Sequence, residues 1–470
     1  MNQEVLEEAR KVLEDSLVYY QNEPVGTVAA KDLSVDLINY DQVFTRDFVV
    51  SGIAFLLEGR HEVVKNFLTH LLFLQSKEKS LNCFRPGRGM MPASFKVDFQ
   101  QNREVLLPDF GEKAIGRVAP VDAPLWWIYL LRIYVRFTND GSFARRDDVQ
   151  HGIRLILDLC LNDRFDQFPT LLVPDGSFMI DRRMGVYGYP LDIQSLFYLA
   201  LRSANELLVD NDDNKPYREA VLERLGHLTY HIRTYYWMDF GRLNELYRSK
   251  VELYGEDSVN RFNIYPDTIP RWLGKWIPDN GGYFVGNLGP ARMDFRFFTA
   301  GNLMTVLGSL ASPEHVMKMM ALFRSNWSSL VGHMPIKVCY PALRSDQWRI
   351  LTGSDPKNTA WSYQNAGGWP FLVWLFTAVA LLTGDIDLVE ETMRLVEARV
   401  VADKWPEYYD GSQNRLVGKQ AMLYQTWTAA GYIVAQRLVD QPEMVEHLIF
   451  REDVTINECT TRAARWVEKW

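Results

Sequence analysis

WPFLVWLFTAVALLT (369–383), followed after Gly384-Asp385-Ile386 by DLVEETMRLVEARVVAD (387–403), is the passage from which the fold can be read. The first segment is apolar on every side, yet shorter than the roughly 18 apolar residues that a membrane span requires. It reads as a helix buried all round inside a large protein. The second segment keeps its charges on one side and reads as a helix with one face in water. Outward from this passage the same succession returns. APLWWIYLLRIYVRFT (123–138) is apolar on nearly all faces, and DDVQHGIRLILDLCL (147–161) after it is amphipathic. VFTRDFVVSGIAFLLEGR (43–60) and HEVVKNFLTHLLFLQSK (61–77) form a helical pair joined at Gly59. A fully buried helix alternating with a one-sided one is what two concentric rings produce. Six such pairs, each taking about 50–80 residues with its loops, fill the length available. The expectation is an all-α (α/α)6 barrel in one domain over 1–470, with its core at about 35–435 and terminal helices at 1–34 and 436–470.

Composition narrows the function. The 470 residues are 47% hydrophobic and 23% charged, the mix of a soluble globular protein with an ample core. Net charge is −8 and the basic residues are scattered, which disfavours nucleic acid. Cys83, Cys160, Cys339 and Cys459 are far apart with no CxxC pair. They read as reduced thiols in a cytoplasmic protein, with the opening MNQEVLEEARKVLEDSL an acidic amphipathic helix rather than a targeting segment. Aromatics reach 13%, mostly core, with some expected to present flat faces to a sugar.

Three other chemistries recede. GEKAIGR (111–117) has the glycine spacing of a phosphate loop, but Arg117 and Val118 stand where Lys and Ser/Thr are needed. His227 and His231 have metal-ligand spacing on a helix but lack an HExxH glutamate and a third ligand, so no metal is expected. No GxSxG elbow occurs.

What remains is carboxylates in long loops dense in Gly, Pro, Asp, Arg and aromatics: 171–194, 260–287 and 338–370. Loops of this length inside a compact domain are usually functional, and in a helical barrel they would gather at one mouth. Asp and Glu among Arg, Gln, Asn and Trp suit a neutral polyhydroxyl ligand. Glycoside hydrolysis needs two carboxyl groups, one to protonate the leaving oxygen and one to activate water or attack. The residues alone leave Asp175, Asp181, Asp192, Asp294, Asp355 and Glu407 as candidates.

At these loops the chain resembles the alkaline/neutral invertases, glycoside hydrolase family 100, of cyanobacteria and plants. The resemblance is carried by NYDQVFTRDFV (39–49), FGEKAIGRVAPVDAPLWW (110–127), DGSFMIDRRMGVYGYPLDIQSLFY (175–198), VNRFNIYPDTIPRW (259–272), GNLGPARMDFRFFTAGN (286–302), GSDPKNTAWSYQNAGGWP (353–370) and WPEYYDG (405–411). It runs from about residue 35 to 435. The resemblance implies an (α/α)6 barrel, hydrolysis of sucrose to glucose and fructose with inversion, no cofactor, and a homo-oligomer. It places the general acid at Asp181 and the general base at Glu407. Asp192 stands where plant relatives carry Glu, and is expected to touch substrate rather than donate the proton.

Further substrate contacts are expected at Asp122, Arg183, Gln194, Asp294, Arg296, Gln364 and Asn365. Tyr40, Asp41, Arg46 and Asp47 either contact sugar hydroxyls or pair with protein groups. Trp361 and Trp405 are either stacking platforms or loop anchors. One tension stands out: Arg182 and Arg183 follow Asp181, and a nearby cation lowers an acid's pKa, the wrong direction for a proton donor. Two rival readings are a trehalase-like or glucan-directed glycosidase and a catalytically silent sugar-binding protein.

Overall fold

The computed structural model describes residues 3–32, 34, 39–78, 87–112, 120–161, 166–173, 188–248, 266–289 and 292–467. Twelve helices alternate between two rings. The inner six are α2 (Thr45–Leu57), α4 (Asp122–Thr138), α6 (Leu191–Leu207), α8 (Thr299–Leu307), α10 (Val373–Thr383) and α12 (Thr426–Asp440). Each packs on the next in chain order, and α12 closes the ring on α2. The outer six are α1 (Gln3–Asp15), α3 (His61–Phe73), α5 (Asp147–Cys160), α7 (Lys215–His231), α9 (Pro313–Ser325) and α11 (Ile386–Glu397). The N-terminal helix α1 is thus a ring member, packed on α12. The expected (α/α)6 barrel is the observed fold.

Burial explains the order. Every residue of α10 from Val373 to Ala380 is buried, whereas α11 buries Leu388, Val389, Thr392, Met393 and Val396 and turns its charges outward. Gly384 ends α10 at φ 76°, a left-handed conformation that glycine adopts without a Cβ penalty. Gly59 makes the equivalent turn between α2 and α3 at φ 79°.

A further helix, α13 (Val454–Val467), lies on α7. His227 of α7 meets the rings of Phe168 and Trp466 edge-on, and His231 lies against Tyr235 and Tyr236. Both histidines are packing residues.

The sheets are where the structure departs from an all-helical reading. Ser94–Gln100 and Arg103–Asp109 form an antiparallel hairpin turned by Gln101 and Asn102, with φ of 50° and 60°. A four-stranded antiparallel sheet runs in the order Cys339–Tyr340, Arg292–Phe298, Gly282–Gly289, Trp237–Asp239. Gly282–Gly289 is buried on both faces over its first six residues, so it shows none of the period-two alternation that marks a half-exposed strand. Among the described residues no helix is long and apolar enough to cross a membrane.

Candidate active site

The two kinds of connection in the barrel differ sharply in length. From inner to outer helix the chain turns quickly, through residues 58–60, 139–146, 208–214, 308–312 and 384–385. From outer to inner helix it makes long excursions, such as 326–372 and 398–425. Every candidate residue falls in one of these long connections or in the first turn of the inner helix it feeds. The connections also pair with one another: Gly368 N donates to Tyr409 O at 2.9 Å and Tyr409 N to Gly368 O at 2.7 Å. Ala30 bridges to Gln425 in the same way.

Glu407 sits in the last of these connections and is 2% exposed. Its Oε1 accepts the Tyr40 hydroxyl at 2.6 Å. Its Oε2 accepts Lys357 Nζ at 3.3 Å and Met422 N at 3.4 Å. Burial and the adjacent carboxylate push the Tyr40 phenol well above its ordinary pKa, so it stays a donor. Non-glycine residues with left-handed backbone concentrate in the two loops around it: Trp361, Tyr363 and Ala366 at φ 68°, 52° and 70°, Lys404 and Trp405 at 62° and 52°. Each such residue costs about 1–2 kcal/mol in isolation, strain that accumulates where geometry is over-determined.

Arg46 and Asp47 open α2. Arg46 Nη1 donates to Asp122 Oδ2 at 2.9 Å, and its Nε lies 3.5 Å from Asp47 Oδ1. Asp122 is the first residue of α4, so this ion cluster ties two neighbouring inner helices at the same end. Arg46 also lines a small apolar space of about 10 Å³ among Trp126, Phe371, Trp374 and Trp427. Asp294 and Arg296 precede α8 and form a two-pronged pair, with Nε 2.9 Å from Oδ1 and Nη2 2.5 Å from Oδ2. Arg296 Nη1 is buried without a hydrogen-bond partner among the described residues.

Asp192, in the first turn of α6, is 2% exposed. Its Oδ1 accepts Gly301 N at 2.5 Å, and its Oδ2 is buried with no partner among the described residues. Burial pushes its pKa up to about 7, the Gly301 N–H opposing. Gln364 is fully buried with both amide atoms unpartnered among the described residues.

Several expectations change. Gln194 is fully buried, and its amide clamps Leu171, accepting from its N at 2.9 Å and donating to its O at 2.8 Å. Asn365 is also fully buried and engages Leu343 N, Leu343 O and Asn358 O. Both hold loops through backbone contacts in place of the expected sugar contact. Asp41 is a half-exposed partner of Lys96 on the hairpin, at 2.8 Å. Trp405 is a loop anchor, 2% exposed and edge-on to Tyr432. Trp361 keeps a partly exposed ring, with the Arg344 guanidinium 5.5 Å from its centre. Asp175, Asp181, Arg183, Cys83 and most of GEKAIGR lie outside the described residues. Lys357 is the residue that sequence reasoning missed; a lone lysine in a polar loop reads as a solvated charge.

A double ring of helices with buried carboxylates gathered in its long connections defines the class as an (α/α)6 barrel with an acid-lined mouth. The fold is shared with a bacterial glucoamylase solved with acarbose (TM-score 0.55, 11% identity, 97% of this chain and 57% of that one). It is shared too with an uncharacterized conserved protein of Thermus thermophilus (TM-score 0.56, 10% identity, 92% and 99%). Within that class the chain belongs to the alkaline and neutral invertases, whose family model matches residues 9–442. Neutral/alkaline invertase 1, mitochondrial, of rice is 53% identical over 97% of this chain and 76% of its own. Probable alkaline/neutral invertase F of Arabidopsis thaliana is 50% identical over 98% and 93%. The chain is therefore a glycoside hydrolase.

Proposed function

We propose that this invertase hydrolyses sucrose to glucose and fructose by a single displacement with inversion, Asp181 acting as general acid and Glu407 as general base. Sucrose is the substrate of the family. The observation that carries the mechanism is Glu407: a buried carboxylate held by a phenol and an ammonium in the connection to α12. Such a group suits the taking of a proton from water. Asp181 belongs by sequence to the connection into α6, across the ring from α12. Inversion calls for a carboxyl separation of about 6.5–9.5 Å, room for the attacking water.

In this reading the Arg46–Asp47–Asp122 cluster, Arg183, Asp192, the Asp294–Arg296 pair, Trp361 and Gln364 bind the sugar hydroxyls and ring faces. Neither metal nor organic cofactor enters. A cytoplasmic location agrees with Cys160, Cys339 and Cys459 being buried free thiols. The curated relatives include proteins named as mitochondrial and chloroplastic. Assembly as a homo-oligomer is part of the same proposal, and light scattering on the purified protein tests it.

Asp181→Asn and Glu407→Gln test the pair. Each variant, folded by circular dichroism, should lose at least about a hundredfold in kcat on sucrose. A Glu407→Gln enzyme as fast as the parent would remove Glu407 from the mechanism. Trehalose and maltose should be left intact, and cleavage of either would favour a broader glycosidase.

A further inference from the structure

The loop 353–370 is organised around one lysine. Asp355 accepts the Lys357 backbone N–H at 2.9 Å and the Asn358 amide at 3.2 Å. Asn358 in turn accepts Gln364 N at 3.0 Å, which closes the loop on itself. The Lys357 side chain is 7% exposed and leads its ammonium into an aromatic cage. Nζ lies 4.1 Å from the Tyr363 ring centre and 5.8 Å from those of Tyr40 and Tyr408. At the end of that cage stand Glu407 Oε2 at 3.3 Å and Tyr40 Oη at 3.4 Å.

A carboxylate has about four lone-pair positions. Here Oε2 receives Lys357 and Met422 N, and Oε1 receives Tyr40 alone among the described residues. One position on Oε1 remains for a water. A charge buried this deeply calls for an opposite charge beside it. The Lys357 ammonium stands at 3.3 Å, and tyrosine faces stabilise the ammonium in turn.

We propose that Lys357 is a positioning residue for the base: with Tyr40 it clamps Glu407 in the charged form and leaves one Oε1 lone pair for the attacking water. This rests on the reading of Glu407 as general base. Among the described residues, the charged and titratable groups around the pair include Tyr40, Tyr363 and Tyr408 on its flanks and Asp355 behind the lysine backbone.

The test is the pH dependence of kcat/KM on sucrose for wild type, Lys357→Met, Lys357→Arg and Tyr40→Phe. Lys357→Met should move the acid limb to higher pH by about one to three units. Its deficit should therefore be large near neutrality and shrink in alkaline buffer. Lys357→Arg keeps the cation and should keep the limb near its wild-type place. Tyr40→Phe should move it in the same direction as Lys357→Met, by less. If Lys357→Met does not fold, Lys357→Gln gives the same reading with a neutral side chain of similar reach. A deficit equal at every pH, or a limb that does not move, overturns the proposal. Inactivity of Glu407→Gln beside an unmoved limb would reject Lys357 alone, whereas full activity of Glu407→Gln would reject the base assignment beneath it.

Discussion

Two carboxyl groups, each 2% exposed, show how neighbours divide labour among equally buried acids. Glu407 has a phenol, an ammonium and a backbone N–H against its oxygens. Asp192 has one backbone N–H, and desolvation raises its pKa to about 7. In the folded chain Asp192 keeps its proton up to that pH, whereas unfolding returns it to its ordinary value of 3.8. Between those values the unfolded state binds fewer protons, so stability falls as pH rises through the window and is fully present below it. One proton corresponds to a slope of at most about 1.4 kcal/mol per pH unit. Asp192→Asn keeps an acceptor for Gly301 N and cannot ionise. Urea unfolding at pH 5, 6 and 7 should show a flatter stability profile for this variant. Parallel profiles for variant and parent would mean that Asp192 is ionised throughout.

At the scale of elements, the rings were legible because burial leaves a mark on composition. The inner helix α10 carries no charge on any face, and the outer helix α11 carries its charges on one. The strands left no such mark: Gly282–Gly289 is covered on both sides and reads as a mere apolar run. Helix α13 shows what close packing demands. A Cβ on Gly226 of α7 would stand 2.5 Å from Cys459 Cβ and 2.7 Å from its backbone carbon. Gly226→Ala should thus force the two helices apart and destabilise the fold by about 1–3 kcal/mol, read as a lower Tm. Since α7 and α13 lie in or beyond the outer ring, kcat on sucrose should be unchanged at a temperature where the variant is folded. An unaltered Tm would show that the crossing relaxes without strain.

For the whole molecule, topology does the gathering. Alternating rings send the chain quickly from inner to outer helix and slowly back, so six long connections meet where the inner helices begin. That end also presents the helix N-termini, which favour carboxylates, as Gly301 N does for Asp192. The residue types at this mouth were visible in the sequence, and the family motifs singled out Glu407. Their partners were not visible, because Tyr40, Lys357 and Glu407 come from three different connections, Glu407 lying 367 residues from Tyr40 and 50 from Lys357. Gln194 and Asn365 looked like sugar ligands for the same reason: an amide that clamps a loop and an amide that binds a hydroxyl are identical in sequence. The most direct test of the mechanism is the anomer of glucose released first, followed by proton NMR on sucrose with the wild-type protein. Sucrose is an α-glucoside, so a water activated by Glu407 on the opposite face yields β-glucose before mutarotation. Early α-glucose would mean retention at the glucose carbon or attack at the fructose carbon, and either would contradict the assignment of Glu407 as the base of a single displacement at the glucose carbon.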